Sequence, residues 1–246
     1  MSGRQRVDGQ AAYILHAYPY SETSLILDVL TRDYGRLPLL ARGARRSRSV
    51  LRGVLMAFQR LELGWFGAGE VRTLAKTEWC GGMPLLTGTA LMLGYYLNEL
   101  LLKLLPREDA HATLFDDYEK TLRALSGGEP YAMHLRSFEK RLLRELGYGL
   151  ELERDANTGE SVISGSMYQY LVERGPVAIA LTSDAQNGLD TIPAIRGKTL
   201  LDLAQEDFSD TQTLAESKRL MRMLINHCLA GQPLQSRRVF MELHVL

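Results

Sequence analysis

The sequence predicts an α+β protein: an N-terminal five-stranded oligonucleotide-binding (OB) barrel over residues 1–80, then a mainly helical C-terminal domain over residues 81–246 with an irregular insertion around 150–180. Three observations carry that reading. The first eighty residues hold short apolar or alternating runs separated by turn residues, the pattern of a small closed barrel. At Met83-Pro84 the character changes to longer runs with helical spacing. Between Asp33 and Glu62 stand Arg36, Arg42, Arg45, Arg46, Arg48, Arg52 and Arg60 and no acidic residue, in a chain whose 29 basic and 29 acidic residues cancel as a whole.

Each element has a local reason. Ala11–His16, Leu25–Thr31 and Leu37–Leu40 are rich in Ile, Leu, Val and Tyr, and Asp33-Tyr34-Gly35 supplies hairpin chemistry, with Gly35 able to take a positive φ. Leu61–Leu63 and Val71–Thr77 follow, joined through Gly64–Gly69. Pro84 suits the first turn of a helix running to Leu105, and Pro106 stops it. Ala110–Leu125 reads as a second helix ending at Ser126-Gly127-Gly128. Pro130 opens a third, with Tyr131, Leu135, Phe138 and Leu142 on one face, and it closes at Gly147-Tyr148-Gly149. A polar stretch with one short strand, Tyr168–Val172, follows. Gly197–Ala204 and Thr211–Ala230 then return to helix, the latter capped by Ser209 and Asp210 and followed by Gly231.

At 246 residues the chain exceeds what one typical core requires, and two domains are expected. Met1–Gln10 is polar and does not read as a secretory leader. Leu85–Leu105 approaches membrane-spanning length, but Asn98, Glu99 and Lys103 make it a buried helix of a soluble core. Only Cys80 and Cys228 occur, which suits a reducing compartment and excludes a cysteine-rich zinc site, while leaving a single bridge open. A cytoplasmic location is expected.

The arginine segment is the strongest functional signal. Arg42-Gly43-Ala44-Arg45-Arg46-Ser47-Arg48-Ser49 lacks apolar periodicity and reads as a loop. Arginine forks grip phosphate through paired hydrogen bonds, and concentrated cations attract a polyanion whatever the net charge. Arg36, Arg42, Arg45, Arg46, Arg48, Arg52 and Arg72 form the candidate DNA-binding set. Tyr13, Tyr18, Tyr20, Tyr34, Trp65 and Phe66 lie around it in sequence as candidates for stacking bases, although most barrel aromatics are core.

Enzyme motifs fail one at a time. Arg196-Gly197-Lys198-Thr199 echoes a phosphate-binding loop, but Ile192 stands where its first glycine belongs. Gly67-Ala68-Gly69 lacks the third glycine of a dinucleotide fingerprint. His16, His111, His134, His227 and His244 show no metal-ligand spacing, and the acid pairs Asp116-Asp117 and Glu151/Glu153 lack a nucleophile or metal partner. No catalytic residue, cofactor or metal is expected.

Two basic helical faces remain: Arg136, Lys140 and Arg144 beside the apolar stripe of the third helix, and Lys218 and Arg222 with Arg219 on the long one. A basic rim beside apolar residues suits an acidic peptide ending in a hydrophobic side chain. Arg136, Phe138, Lys140, Leu142, Lys218 and Arg222 are therefore the candidate partner-tail set.

Several segments together resemble the bacterial RecO family of recombination mediators. They are Tyr20–Leu25 running into Asp28–Thr31, Gly35-Arg36, Arg42–Arg45, Gly69–Val71, Tyr96–Leu100, Leu146–Gly149 and Pro233–Arg238, in order along most of the chain. The resemblance implies an OB barrel and a helical domain, binding to single- and double-stranded DNA, and annealing of complementary strands. It also implies capture of the acidic C-terminal tail of single-strand DNA-binding protein. With RecR, and in some settings RecF, members of this family help load RecA onto coated strands in the bacterial cytoplasm and nucleoid. Some members hold zinc with four cysteines after the Gly-Tyr-Gly turn; Glu151–Pro176 here has none. Residue chemistry alone leaves an RNA chaperone as a competing reading, because a basic barrel does not declare its sugar. A nuclease or ligase fragment would need clustered metal-binding carboxylates, which the acid-free stretch argues against.

Overall fold

The structure is a computed structural model that describes residues 6–128, 130–179 and 194–243. Five strands, β1 (Arg6–Tyr20), β2 (Ser24–Thr31), β3 (Gly35–Ala41), β4 (Leu61–Phe66) and β5 (Arg72–Trp79), close into a barrel in the order β1-β2-β3-β5-β4. A single turn of helix, α1 (Leu51–Val54), lies between β3 and β4. The expected α+β class, with an OB barrel first and helices after it, is what the chain forms.

Closure depends on β1 being long enough to serve two neighbours. Ala12–Tyr20 pairs with β2, Arg6–Ala12 pairs with β4, and irregularities at Val7/Gln10 and Ile14/His16 bend the strand between them. A short parallel pairing of Leu39 and Leu40 with Arg72 and Thr73 completes the ring. Ala12, Ile14, Leu27, Val29, Leu37, Leu39, Leu61, Leu63 and Trp65 fill the interior by strand alternation. β1 buries its other face as well: Tyr13 packs on Phe115 and Tyr118 at 5.5 and 5.3 Å between ring centroids. That double burial explains why Ala11–Leu15 is apolar without alternation. The hairpin glycine is required twice over, since Gly35 has φ 67° and an added Cβ would stand 1.9 Å from the Asp109 carbonyl oxygen.

The remaining helices are α2 (Gly88–Leu104), α3 (Ala112–Gly127), α4 (Tyr131–Glu145), α5 (Gly197–Gln205), α6 (Thr211–Cys228) and α7 (Gln235–Leu243). A small sheet of β6 (Met167–Leu171), β7 (Gly175–Ala178) and β8 (Ile195–Arg196) has the order β7-β6-β8. Packing divides the chain into two compact units, one holding β1–β5, α1–α3 and α7, the other α4–α6 and β6–β8. The expected boundary near residue 80 thus falls inside the first unit, because α2 and α3 bury their apolar faces with the barrel. Asn98 of α2 donates to the Leu15 carbonyl at 2.8 Å and accepts from the Tyr118 hydroxyl, so these buried polar groups are satisfied.

Some boundaries differ from expectation for identifiable reasons. Pro84 is not the first turn of α2: residues 81–87 are non-helical, and the buried Leu86 folds back to lie where a Cβ on Gly94 would be, 2.8 Å from it. α7 has no local signal in the sequence, since its N-terminal donors are satisfied from far away. Glu99 accepts from the Gln235 and Ser236 amides, both at 2.8 Å. α6 begins where its capping residues place it, with the Asp210 carboxylate accepting from the Gln212 amide.

Candidate nucleic-acid interface

The arginine segment leaves the barrel at Ala41 and is built as a chain of turns held at several points. Ala44 is buried in the barrel core, and Leu51, Val54 and Leu55 pack against it. The Arg45 amide donates to the Thr23 carbonyl at 2.8 Å, and its guanidinium donates to the Ser21 carbonyl at 3.2 Å. Hydrogen bonds from Arg46 to Gly43 and from Ser49 to Arg46 close the turns. Arg42, Arg45, Arg46, Arg48 and Arg52 are all exposed. Arg42, Arg46, Arg48 and Arg52 make no side-chain hydrogen bond or ion pair among the described residues. Anchored backbone and unpaired guanidinium groups are the combination that phosphate contact needs.

Two members of the sequence-predicted set are placed differently. Arg36 is largely buried; it donates to the Leu105 carbonyl and lies 3.5 Å from the buried Asp28. Burial lowers its pKa, against the opposing pull of Asp28. Arg72 is also largely buried and pairs with Glu108 at 3.0 Å. Arg60 pairs with Glu119 at 2.8 Å. These three side chains, of which Arg36 and Arg72 belong to the expected DNA-binding set, are held by partners within the protein. Counting arginines could not separate them, because their acidic partners come from other parts of the chain. The sequence gives no sign of Arg107, which is exposed and has its backbone bridged to that of Arg36. Among the candidate aromatics Tyr13 and Trp65 are buried, Tyr34 packs edge-on to Trp65, and Tyr18 and Tyr20 are 44% and 49% exposed.

The candidate partner-tail set does not assemble into one pocket. Phe138 and Leu142 are buried in the core of the second unit. Arg136 is buried with them and donates to Glu139 at 2.6 Å. Lys140 donates to the Leu203 and Ala204 carbonyls at 2.9 and 2.7 Å, closing the C-terminal end of α5. Burial lowers its pKa, countered by Glu206. The apolar stripe, with Arg136 and Lys140 beside it, thus builds the helical core instead of standing open, while Arg144 is exposed. Lys218 and Arg222 are exposed on α6 and keep their side chains free among the described residues.

The motif-like Arg196–Thr199 stretch also has a structural employment. Glu216, 5% exposed, accepts from the Arg196 amide and guanidinium, from Thr199 Oγ1 at 2.6 Å and from Gln212 at 2.9 Å. In the irregular segment, the Asp155 carboxylate accepts from the amides of Asn157, Thr158 and Ala178 at 2.8, 3.1 and 2.7 Å. Among the described residues no group of three or more His, Cys, Asp or Glu is placed to hold a metal, and His244 lies outside those residues. Among the same residues no helix is long and apolar enough to cross a membrane.

A closed five-stranded barrel of this kind is the oligonucleotide-binding architecture, and here a loop of exposed arginines follows its third strand. Residues 8–83 match the family described as Recombination protein O N terminal, and residues 85–238 match Recombination protein O C terminal. The chain is 56% identical over 243 residues to the DNA repair protein RecO of Azoarcus sp. (strain BH72), covering 99% of both chains. It is 52% identical over 246 residues to the DNA repair protein RecO of Aromatoleum aromaticum, covering all of both. With the corresponding protein of Dechloromonas aromatica the identity is 54% over 249 residues. The chain belongs to the RecO family of DNA repair proteins.

Proposed function

We propose that the protein is a non-enzymatic DNA recombination mediator that binds single- and double-stranded DNA and anneals complementary strands. The observation that carries this reading is the anchored loop of exposed arginines, Arg42 to Arg52, of which four have no partner among the described residues. Two DNA strands repel each other through their phosphates; guanidinium groups that neutralise both let the bases meet, and pairing itself supplies the free energy. Such a step needs no covalent chemistry, in keeping with the failed enzyme motifs.

Family membership supports the partners. They are the acidic C-terminal tail of single-strand DNA-binding protein, RecR and, in some settings, RecF, with RecA loading onto coated strands as the outcome in the bacterial cytoplasm. For the tail, Lys218 and Arg222 are the exposed cations that remain from the predicted set. The test is annealing of complementary strands coated with single-strand DNA-binding protein, with and without its C-terminal tail. Faster annealing that depends on the tail is expected. Annealing no faster than the spontaneous rate, on naked as well as coated strands, would refute the reading.

A further inference from the structure

The outer face of β1, β2 and β3 carries a feature the arginine loop does not account for. Strand register puts Tyr18 opposite Ile26, Ile26 opposite Leu40, and Tyr20 opposite Ser24. Residues directly opposite share a face, and Leu27, Leu39 and Ala41 point into the barrel, so Tyr18, Tyr20, Ile26 and Leu40 point out of it. Ile26 and Leu40 are half-buried and the two tyrosines are about half-exposed, giving an apolar floor with two open rings standing on it. The His16 ring lies 4.3 Å from that of Tyr18 and extends the row. Cations bound the row at both ends. The arginine loop follows Ala41 at one end of β3, and Arg107 is bridged to Arg36 at the other, six residues or roughly 20 Å away.

We propose that this face is a base-stacking track for single-stranded DNA, with Tyr18 and Tyr20 each holding one base and Arg107 and the arginine loop gripping the backbone on either side. The inference rests on the reading of the loop as a DNA contact. Tyr18 and Tyr20, two residues apart on one strand, stand about 7 Å apart, roughly twice the 3.4 Å rise per base along one strand of a duplex. Bases seated on both rings are therefore pulled out of stacking with each other, and their pairing edges stay open to a complementary strand. A duplex hides its base faces and has nothing to offer the tyrosines. The track distinguishes strand forms in a way that arginine–phosphate contact does not.

The experiment compares binding of a short oligothymidylate and of a duplex of equal length by fluorescence anisotropy. Tyr18→Ala/Tyr20→Ala is expected to bind the single strand at least about tenfold more weakly, since two bases lose their stacking partners, and to bind the duplex almost unchanged. Tyr18→Phe/Tyr20→Phe keeps both rings and is expected to retain most single-strand affinity. Arg107→Ala should lower the salt slope for the single strand by about 0.7. Unchanged single-strand binding in a folded alanine variant, an equal loss on duplex, or a phenylalanine variant no better than alanine overturns the track. A quadruple arginine-loop variant run in parallel separates the two readings. If it binds as wild type while the alanine variant weakens, the loop assignment fails and the tyrosines remain.

Discussion

Arg36 donates from Nε and Nη2 to the carbonyl of Leu105, at 3.2 and 3.0 Å, closing the C-terminal end of α2 with a side chain from β3. A cation at a helix C-terminus satisfies orphan carbonyls and meets the negative end of the helix dipole. The same guanidinium faces Asp28, which is buried on the barrel surface. One of the arginines most suggestive of DNA binding is therefore a rivet between barrel and helix.

Arg36→Ala should accordingly destabilise the fold by about 3 kcal/mol, because Asp28 is left buried and uncompensated. Chemical denaturation measures the loss. In the fraction that remains folded, the salt dependence of single-strand binding should match wild type; a slope lower by about 0.7, the share of one phosphate, would return Arg36 to the interface.

Arg136→Glu tests the helical unit in a related way. It would set two carboxylates side by side where Arg136 now donates to Glu139 at 2.6 Å. The expected outcome is a large loss of stability that takes every binding activity of the unit with it. Lys218→Glu/Arg222→Glu should instead leave thermal melting nearly unchanged and weaken binding of the partner's tail peptide, by removing attraction and adding repulsion. Tail affinity equal to wild type in that variant would remove α6 from the tail site.

The polar cluster around Glu216 predicts an acid limit. Burial raises its pKa, but donors from Thr199, Gln212 and Arg196 outweigh that and hold it below the ordinary glutamate range. Its contribution to stability is thus complete above the unfolded value of about 4.3 and is lost as pH falls through the lower folded value. Glu216→Gln should lower stability at neutral pH and flatten the fall in melting temperature on acidification below about pH 4.5. An acid profile parallel to wild type would show that other carboxylates set the limit.

Asp155 predicts how the irregular segment is held. Its three amide donors outweigh the desolvation that would raise its pKa and leave it below the usual aspartate range. Asp155→Ala should loosen residues 155–178 to hydrogen exchange and cost about 1–3 kcal/mol. Purified protein should carry no stoichiometric zinc, and chelator should leave its melting temperature unchanged. One tightly held zinc per chain in elemental analysis would contradict this.

The barrel is legible in the sequence because its strands are short apolar or alternating runs and its hairpin turns carry their own chemistry: Asp33-Tyr34-Gly35 announces the β2–β3 turn from three residues. Helices α3 to α6 are legible from apolar spacing and local caps such as Asp210. What cannot be read there depends on interactions between distant residues. α7 is capped by Glu99, 136 positions away, and α2 starts late because Leu86 packs back on Gly94. The site divides in the same way. Arg42, Arg46 and Arg48 have no acidic neighbour in sequence and no ion pair among the described residues, whereas Arg36 and Arg72 lose their freedom to Asp28 and Glu108, the second lying 36 residues beyond its partner. Phe138 and Leu142 do share one face, but periodicity does not say whether that face is covered.

If the loop following Ala41 is the principal DNA contact, salt-dependent single-strand binding by Arg42→Ala/Arg45→Ala/Arg46→Ala/Arg48→Ala reveals it. All four side chains are exposed, so the fold should survive, as circular dichroism would verify. Affinity is expected to fall to a similar degree on unrelated sequences, with the log–log salt slope reduced by about 0.7 for each phosphate that the variant no longer neutralises. A folded variant with wild-type affinity and an unchanged slope would contradict it and place DNA elsewhere on the protein.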